Sequence, residues 1–492
     1  MKIALINPPP RTEFEKHWGE FPGLGLAYVA AGLRDAGHDI VLLDGKLVAG
    51  MTVDAIVERV LAISPDLVGI TCMTVEFPNA ALIAEKIKRR SSVPIVVGGA
   101  HVNAVETEVL DEAPAFDYAC IGEGEVTACE LAATLAAGGD VSTVLGIGYR
   151  QNGVSMRTAA RPYPKDYDQL PFPAWEMFNM GEQIPILTHR GCPFQCTFCG
   201  HNSGFSPRYR TPENVLDELE HVVNKYRPKN IRFEDETFGL NLPRTKAILR
   251  GILDRGLNKK TTFSAQTRVD RVDRDFIRLL KDCNFEMLEL GVESGNPEVL
   301  ERIQKGITLD QVERAVGFAK AEGIRVWCKF ILGHPHETRQ TVMDTLAFIA
   351  KINPDRLSVS VMTPFPGTPI FEMAIRGEGG YRLLSRDWTK FDKYAKGVLE
   401  LDGISLGELK LYQILAYVRL YLQNGRFGDL FGLVRRHPQM AVEMAVDAAK
   451  RITMGRQEKP VPVQAPKTSL EETMRARGWK KPGTPKRLRV LT

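Results

Sequence analysis

Three cysteines lie close together in the sequence GCPFQCTFCG (residues 191–200), at Cys192, Cys196 and Cys199. Three thiolates without a fourth cysteine nearby favour an iron–sulfur cluster over structural zinc, because a closed zinc site needs a fourth ligand. His201 could supply that ligand, so zinc is the alternative. A cubane cluster with three protein ligands leaves one iron open. The spacing therefore predicts a metal centre at which a substrate or a cofactor binds.

The composition is that of a soluble globular chain. Its 492 residues predict two or three domains. Hydrophobic residues make up 44% of the chain and charged residues 25%, and no apolar run approaches the ~20 residues of a membrane span. The start MKIALINPPP is typical of a first strand and not of a signal peptide. We therefore expect a cytoplasmic protein, in which the other five cysteines are small apolar residues and not disulfide partners.

The positive charge is concentrated at the carboxyl end. The whole chain carries a net charge of +4, whereas residues 450–492 hold 12 Lys and Arg against 3 Glu. We predict a basic, flexible tail over residues 459–492, with an anionic or nucleic-acid surface as the alternative partner.

Residues 1–140 alternate short apolar runs with helix-like segments in five strand–helix units. This pattern predicts a doubly wound, flavodoxin-like (Rossmann-type) α/β domain, with a ligand site at the carboxyl ends of its strands. The loops at those ends are NPPP (7–10), TCMT (71–74), GGAH (98–101) and GEGE (122–125). Their glycines let the backbone approach a bulky ligand. The first strand is not followed by GxGxxG, which counts against a dinucleotide.

Residues 141–180 predict a hairpin that turns at Asn152-Gly153, followed by an extended, proline-rich linker. Over residues 181–378 six strands alternate with helices, which indicates a β/α barrel, partial or complete, with its chemistry at the carboxyl rim. The cysteines follow the first of these strands. Residues 379–458 are helical by period. Tyr381, Trp388, Phe391 and Tyr394 in this part are better explained as core than as pocket residues.

The motifs of residues 181–378 together resemble those of radical S-adenosylmethionine (SAM) enzymes. CPFQCTFC (192–199) resembles the cluster motif of that family, and the strand ends carry, in order, FEDETF, SAQTRVD, LELGVESGNPEVLERIQKG, FILGHPHET and PFPGTPIFE. The resemblance implies a [4Fe-4S] cluster whose open iron binds SAM. His336 departs from the family, which commonly has glycine there. The SAM contacts that the resemblance implies are Phe198, Asp235, Glu236, Arg268, Glu293, Ser294 and Ile331.

Residues 1–180 extend the resemblance to the cobalamin-binding subgroup, through the GGAH and GEGE loops, the hairpin and the linker DQLPFPAW. The DxHxxG motif that offers a histidine to cobalt in many cobalamin domains is absent, since His17, His38 and His101 lack its spacing; many members of the subgroup also lack it. The implied cobalamin contacts are Asn7, Thr71, Cys72, Met73, Gly98, Gly99, His101, Gly122 and Glu123, with Cys72 or Met73 as candidate neighbours of cobalt.

The resemblance implies radical chemistry at carbon. In that family a 5′-deoxyadenosyl radical removes a hydrogen atom from the substrate, and methylcobalamin then supplies a methyl group. We expect C-methylation of a small metabolite, driven by a reductant such as flavodoxin or ferredoxin. A cobalamin-containing radical cyclase or rearranging enzyme is the alternative. A metal-stabilised RNA-binding protein is a third hypothesis, and it would use the basic tail.

Overall fold

The computed structural model describes residues 1–10, 22–392, 394, 396–436, 442, 446 and 469–479. Two compact units are present. The first comprises Met1–Gly191, Asn202–Asp235 and Ala247–Ser264, and the second comprises Cys192–His201, Glu236–Lys246 and Ala265–Thr492. The cysteine loop therefore belongs to the second unit.

The amino-terminal part of the first unit is built on a seven-stranded sheet in the order β2-β1-β3-β4-β5-β6-β7. Five strands are parallel, and the hairpin β6–β7 adds to β5 in antiparallel fashion. The predicted doubly wound domain is confirmed, because the order 2-1-3-4-5 is that of flavodoxin-like folds. The strands are β1 Lys2–Asn7, β2 Asp39–Asp44, β3 Leu67–Thr71, β4 Ile95–Gly98, β5 Tyr118–Cys120, β6 Ile147–Gln151 and β7 Val154–Arg157.

Helices follow the parallel strands as the periodicity predicts, and their apolar faces are buried against the sheet. The hairpin turns at Asn152 (φ 52°) and Gly153 (φ 81°), the left-handed pair that a two-residue turn requires. The helices are α1 Leu24–Asp35, α2 Val53–Ile63, α3 Phe77–Lys88, α4 Ala100–Val105, α5 Glu108–Glu112 and α6 Gly124–Ala136.

The second large sheet has six strands in the order β15-β14-β13-β12-β11-β8. Successive strands of the sequence are neighbours, and the order ends at β8 and β15, as in a partial barrel that does not close. The six predicted strands are all present. They are β8 Gln183–Ile186, β11 Asn230–Phe233, β12 Thr262–Thr267, β13 Phe285–Glu293, β14 Arg325–Leu332 and β15 Arg356–Val361.

Polar caps begin most of the helices that follow these strands. The side chains of Thr211, Thr308 and Thr338 each accept a backbone N–H of the first turn, which satisfies a donor that has no partner within the helix. The helices are α7 Pro212–Tyr226, α8 Leu242–Asp254, α9 Arg274–Asp282, α10 Pro297–Arg302, α11 Leu309–Ala321, α12 Arg339–Ile352 and α13 Pro369–Arg376.

The carboxyl-terminal region is helical in its described part, as predicted, with one strand pair in addition. The predicted helical region contains α14 Leu406–Gln423 and α15 Phe427–Arg436. A further helix, α16 Leu470–Ala476, lies within the predicted tail, so the prediction of a flexible tail is wrong for these residues. Two short antiparallel pairs, β9 His189–Arg190 with β10 Arg208–Tyr209 and β16 Tyr381–Leu383 with β17 Leu399–Leu401, complete the strands. Six 3-10 turns occur in the part of the chain that the structure describes, at Val141–Thr143, Tyr167–Gln169, Trp175–Met177, Leu257–Lys259, Val269–Arg271 and Trp388–Lys390.

Two of the four aromatics for which core packing was the favoured prediction are core residues: Tyr381 and Phe391 are buried, and the Tyr381 hydroxyl donates to the carbonyl of Gly333 over 3.0 Å. His17 and most of the predicted basic tail lie outside the described residues. Among the helices that the structure describes, none is long and apolar enough to cross a membrane.

Candidate functional site

The cysteine loop follows β9 and is fixed by backbone hydrogen bonds. The N–H of Cys199 donates to the carbonyl of Cys196 over 3.0 Å. The N–H of Thr197 donates to Ile303 over 3.1 Å, and the carbonyl of Thr197 accepts from Ile370 over 3.2 Å. The loop is thus tied to the segments that follow β13 and β15. Within the described residues, no group of three His, Cys, Asp or Glu side chains is arranged to hold a single metal ion.

The surroundings of the cysteines bear on whether they can hold a cluster. Cys196 is buried, and Cys192 and Cys199 are partly buried; all three are free thiols. Burial raises the pKa of Cys192, and it raises the pKa of Cys199 to about 12, with the other cysteines adding repulsion. Thiolates in such a place need a positive group to stabilise them. Three thiols on one fixed loop, close enough to affect one another electrostatically, fit a [4Fe-4S] cluster with three protein ligands.

The three acids at the end of β11 separate into different environments. Glu234 pairs with Arg232. Asp235 is buried and accepts from the backbone N–H and the hydroxyl of Thr188, over 2.7 and 2.6 Å, and lies 3.1 Å from Nδ1 of His189. Burial opposes ionisation of Asp235, but His189 and these hydrogen bonds hold its pKa below the usual range. Asp235 therefore links the ends of β8 and β11 through its side chain.

Glu236 is the acid that is open to a ligand. In the part of the chain that the structure describes, its Oε2 atom is buried and has no hydrogen-bond partner. Its charge is close enough to Cys192 to contribute to the raised pKa of that thiol. The neighbouring hydroxyl of Thr237 lies 3.8 Å from the Cys192 sulfur. A buried acceptor beside the cysteines is suited to an ammonium group.

Glu293 and Ser294 end β13 in an irregular conformation. The register of β13 against β14 shifts between Gly291 and Glu293, and Glu293 has a φ of 72°, so its carboxylate is aimed by a strained backbone. Nζ of Lys305 lies 2.8 Å from Oε1 of Glu293, and both side chains are buried. The hydroxyl of Ser294 bonds Thr345 Oγ1 over 3.1 Å and so helps to hold the strand end.

The FILGHPHET segment passes close to the cysteine loop. Ile331 is on β14, and the ring of His334 lies 6.2 Å from the ring of Phe198. His336 has a φ of 53°. This left-handed conformation is one that glycine adopts freely and that a residue with a side chain adopts only with strain. Phe198 and the end of β14 thus form one apolar corner of the site.

The buried carboxylate of Glu337 should make stability depend on pH. It accepts the N–H groups of Gly333 and His334 over 2.6 and 3.1 Å, and burial raises its pKa to about 7. In the unfolded chain the carboxyl group of Glu337 has its ordinary, lower pKa. The folded state therefore loses stability as the pH rises from that ordinary pKa to the raised pKa, by on the order of 3 kcal/mol. We expect Glu337→Gln to raise the melting temperature of the apoprotein at pH 8 and to change it little at pH 4.5.

The matched control is Glu378→Gln, at an exposed position in the next loop. Burial also lowers the pKa of His334 to about 4, so the titration of His334 changes the stability of the wild type and the variants alike. The comparison is therefore made between wild type and variant at each pH, where this contribution cancels. A Glu337→Gln variant that is destabilised equally at both pH values would show that Glu337 is ionised throughout.

Five of the nine predicted cobalamin contacts line a cavity in the first unit. Its volume is about 280 Å³, and it extends from the carboxyl ends of β3, β4 and β5 along apolar residues of α1 and α6. Gly122 has a φ of 95°, and a Cβ atom there would meet nothing within 4 Å, so the backbone faces open space. Such a cavity with a glycine rim fits a large, partly apolar ligand. The predicted residues that line it are Thr71, Gly98, Gly99, Gly122 and Glu123.

Four other predicted cobalamin contacts are not in the cavity lining. Asn7 is buried and donates to Asp44 over 3.1 Å. Cys72 is buried, which raises the pKa of its thiol. His101 is buried with its ring 4.5 Å from that of Phe77, and its Nδ1 is 3.2 Å from the hydroxyl of Thr74. Met73 is 40% exposed. Behind the rim, Asn7, Cys72 and His101 support the loops through packing and hydrogen bonds.

Sequence reasoning missed a charged network in the cavity wall. Arg190, directly before Gly191, donates to Glu125 over 2.6 Å and lies 3.4 Å from Glu123. Glu123 also accepts from Tyr167 over 2.5 Å and pairs with Arg208 over 2.6 Å. Burial opposes the charge of Arg190, but the two carboxylates raise its pKa. Adjacent GEGE acids and an arginine at a strand end were the available signals, but their proximity depends on the fold.

Two family models match the chain in succession: the B12 binding domain over residues 16–132, and the radical SAM superfamily over residues 186–349. The fold and the site thus define a cobalamin-dependent radical SAM enzyme, with a [4Fe-4S] cluster, SAM and cobalamin as cofactors. A protein of Pyrococcus horikoshii described as an uncharacterized methyltransferase is 33% identical over 434 residues, which cover 86% of this chain and 93% of that protein. The chain therefore belongs to the cobalamin-binding radical SAM family of methyltransferase-like enzymes.

Other relatives place the family in context. The anaerobic magnesium-protoporphyrin IX monomethyl ester cyclase of Rubrivivax gelatinosus is 26% identical over 444 residues, 87% of this chain and 78% of the cyclase. The radical SAM methyltransferase TsrM from Kitasatospora setae, solved with cobalamin and a [4Fe-4S] cluster, has 21% identity and a TM-score of 0.67, covering 79% of this chain and 81% of TsrM. At that identity the match with TsrM shows a shared fold.

Proposed function

We propose that the protein methylates an unactivated carbon of a small metabolite in a cobalamin-dependent radical reaction. The observation that carries the proposal is that a fixed three-cysteine loop and a glycine-rimmed cavity occur in one chain. The Pyrococcus horikoshii relative, which matches over 93% of its length, bears a methyltransferase name. When bound, the cluster with SAM supplies hydrogen-atom abstraction and cobalamin supplies the methyl group.

The residues of the second unit are assigned roles toward the cluster and SAM by their surroundings. Cys192, Cys196 and Cys199 would ligate the cluster. Glu236 would accept hydrogen bonds from the SAM ammonium group, because its buried oxygen is otherwise unsatisfied among the described residues. Glu293, which is held by Lys305, would orient the ribose or the methionine end of SAM.

The remaining predicted SAM contacts divide by character. Phe198 and Ile331 would contact the adenine. Ser294 and Asp235 are engaged with protein partners, so they would act by fixing the strand ends that carry Glu293 and Glu236. The site would thereby be held in position before SAM enters.

In the first unit, the cavity residues would hold the corrin. Thr71, Gly98, Gly99, Gly122 and Glu123 line the cavity. The Gly122 N–H donates to Asn103 over 2.8 Å, so the GEGE turn is set by the protein without help from a ligand. We retain the domain boundaries at residues 140, 180, 378 and 458, and a low-potential donor such as flavodoxin or ferredoxin as the electron source.

The cyclase reaction is the second candidate function. It is favoured by the 26% identity that extends over 78% of the Rubrivivax cyclase. Both reactions need the same cofactors, and they differ in whether a methyl group is consumed.

Product counting with methyl-labelled SAM tests the proposal. The anaerobically reconstituted protein is incubated with reductant, cobalamin and candidate metabolites that include tetrapyrroles and lipids. Methyl transfer predicts labelled product, with 5′-deoxyadenosine and S-adenosylhomocysteine in comparable amounts. A modified substrate that forms together with deoxyadenosine, without label and without S-adenosylhomocysteine, would overturn methylation and support ring formation.

A further inference from the structure

Arg268 follows β12 and carries a buried guanidinium group into the cysteine site. The resemblance to the family implied that it binds SAM. We propose instead that Arg268 is a positioning residue for the iron–sulfur cluster: it donates to the sulfur of Cys196, and its fixed charge raises the reduction potential of the cluster. This inference rests on the proposed assignment of the three cysteines as cluster ligands.

The protein holds the guanidinium group of Arg268 on several sides. Its central carbon lies 3.6 Å from the centre of the Phe194 ring, within stacking distance. Nη2 donates to the carbonyl of Lys305 over 2.7 Å, and Nε donates to Asp270 over 3.0 Å. These contacts leave Nη1 directed at the Cys196 sulfur, 3.9 Å away. The group is therefore aimed at a cluster ligand by contacts that do not involve SAM.

The neighbouring charges do not cancel this effect. Asp270 is shared with Arg271, whose Nη2 lies 3.1 Å from the carboxylate, so two arginines face one acid. Lys305 is paired with Glu293. Glu236 acts on Cys192 and offsets part of the positive charge of the site, but the guanidinium group is the charged group that contacts the Cys196 sulfur. In a buried site with little screening, a positive charge in contact with the sulfur stabilises the more negative state. One electron from a low-potential donor converts the oxidised cluster to the reduced cluster with no change in bonding, and a nearby cation favours that product.

The test is a redox titration of the reconstituted holoprotein without SAM, followed by electron paramagnetic resonance. We expect Arg268→Gln to shift the midpoint potential to a more negative value, and Arg268→Lys, which keeps the charge and loses the planar stack, to shift it less. Arg271→Gln is the matched comparison, because Arg271 touches the same acid, whereas Arg268 makes the contact with the Cys196 sulfur. Loss of Arg271 leaves Asp270 to offset the charge of Arg268, so we expect a negative shift that is smaller than the shift in Arg268→Gln.

Phe194→Leu is a second variant that tests the position of Arg268. It removes the aromatic ring on which the guanidinium group stacks, without changing the charge of the site. We expect a smaller negative shift, and this variant decides the question if Arg268→Gln fails to fold. If Arg268→Gln and Phe194→Leu hold a full complement of iron and show the midpoint potential of the wild type, the inference is overturned. If Arg268→Gln weakens SAM binding but leaves the midpoint potential measured without SAM unchanged, Arg268 is a SAM-binding residue and the inference is overturned. A Cys196→Ala protein that keeps a full cluster would instead overturn the ligand assignment.

Discussion

Replacing Cys196 by alanine is expected to abolish the iron–sulfur cluster. Cys196 is the most enclosed of the three cysteines, and its loop is tied to Ile303 and Ile370 by backbone hydrogen bonds. We expect iron to fall from about four atoms per chain to near zero after anaerobic reconstitution, and SAM cleavage to be lost with it. Iron and sulfide analysis on the same sample measures the effect.

Cys283→Ala is the matched control for Cys196→Ala. Cys283 is also a buried free thiol, but it lies at the carboxyl end of α9 and outside the cysteine loop. Its replacement removes one buried sulfur, which we expect to cost about 1 kcal/mol of stability, and it should leave the iron content unchanged. Retention of full iron in Cys196→Ala would contradict the assignment of this cysteine as a ligand.

Replacing Gly122 by valine is expected to lower cobalamin binding by at least about tenfold, a loss of roughly 1.4 kcal/mol. Gly122 lines the cavity of the first unit, and a Cβ atom at this position would point into space that the protein does not fill. The branched side chain would then occupy volume that a corrin needs. Equilibrium dialysis with cobalamin, read by absorbance, measures the change.

Gly153→Val separates loss of the cavity from strain in the backbone. Gly153 also has a positive φ, 81° against 95° at Gly122, and a Cβ atom there would likewise meet nothing within 4 Å. It lies in the hairpin turn, outside the cavity lining. Both variants should therefore be destabilised to a similar extent by backbone strain, about 1–3 kcal/mol. Cobalamin binding should fall in Gly122→Val alone. An equal fall in both would attribute the loss to strain.

The fold was largely predictable, because apolar strands and amphipathic helices alternate with different periods. The eleven parallel strands were each marked by a short apolar run such as KIALIN or RLSVSV. The short pairs β9–β10 and β16–β17 were not predicted, since strands of two or three residues carry too little pattern. Each pair joins segments that are more than fifteen residues apart in the sequence, so local pattern does not indicate the pairing.

The positions of the site residues were predictable at strand ends, but the direction of each side chain was not. Of three consecutive acids, the sequence does not say that Glu234 pairs with Arg232 or that Asp235 is taken by Thr188 and His189. Lys305 lies in a motif that was recognised, yet its pairing with Glu293 depends on the shifted register of β13. Pairings across the fold depend on rotamers and burial, which local sequence does not encode.

The backbone hydrogen bonds of the cysteine loop bear on how the metal centre is assembled. Thr197 donates to Ile303 and accepts from Ile370, so the loop has a defined shape before iron is present. In small metal-dependent domains the metal must supply the energy that folds the chain. Here the packing of the surrounding strands and helices offsets the entropic cost of ordering the loop. The cysteine loop can therefore serve as a template for assembly of the cluster. The apoprotein should therefore persist as a folded acceptor, into which a cluster can be inserted, or replaced after oxidative damage, without refolding of the chain.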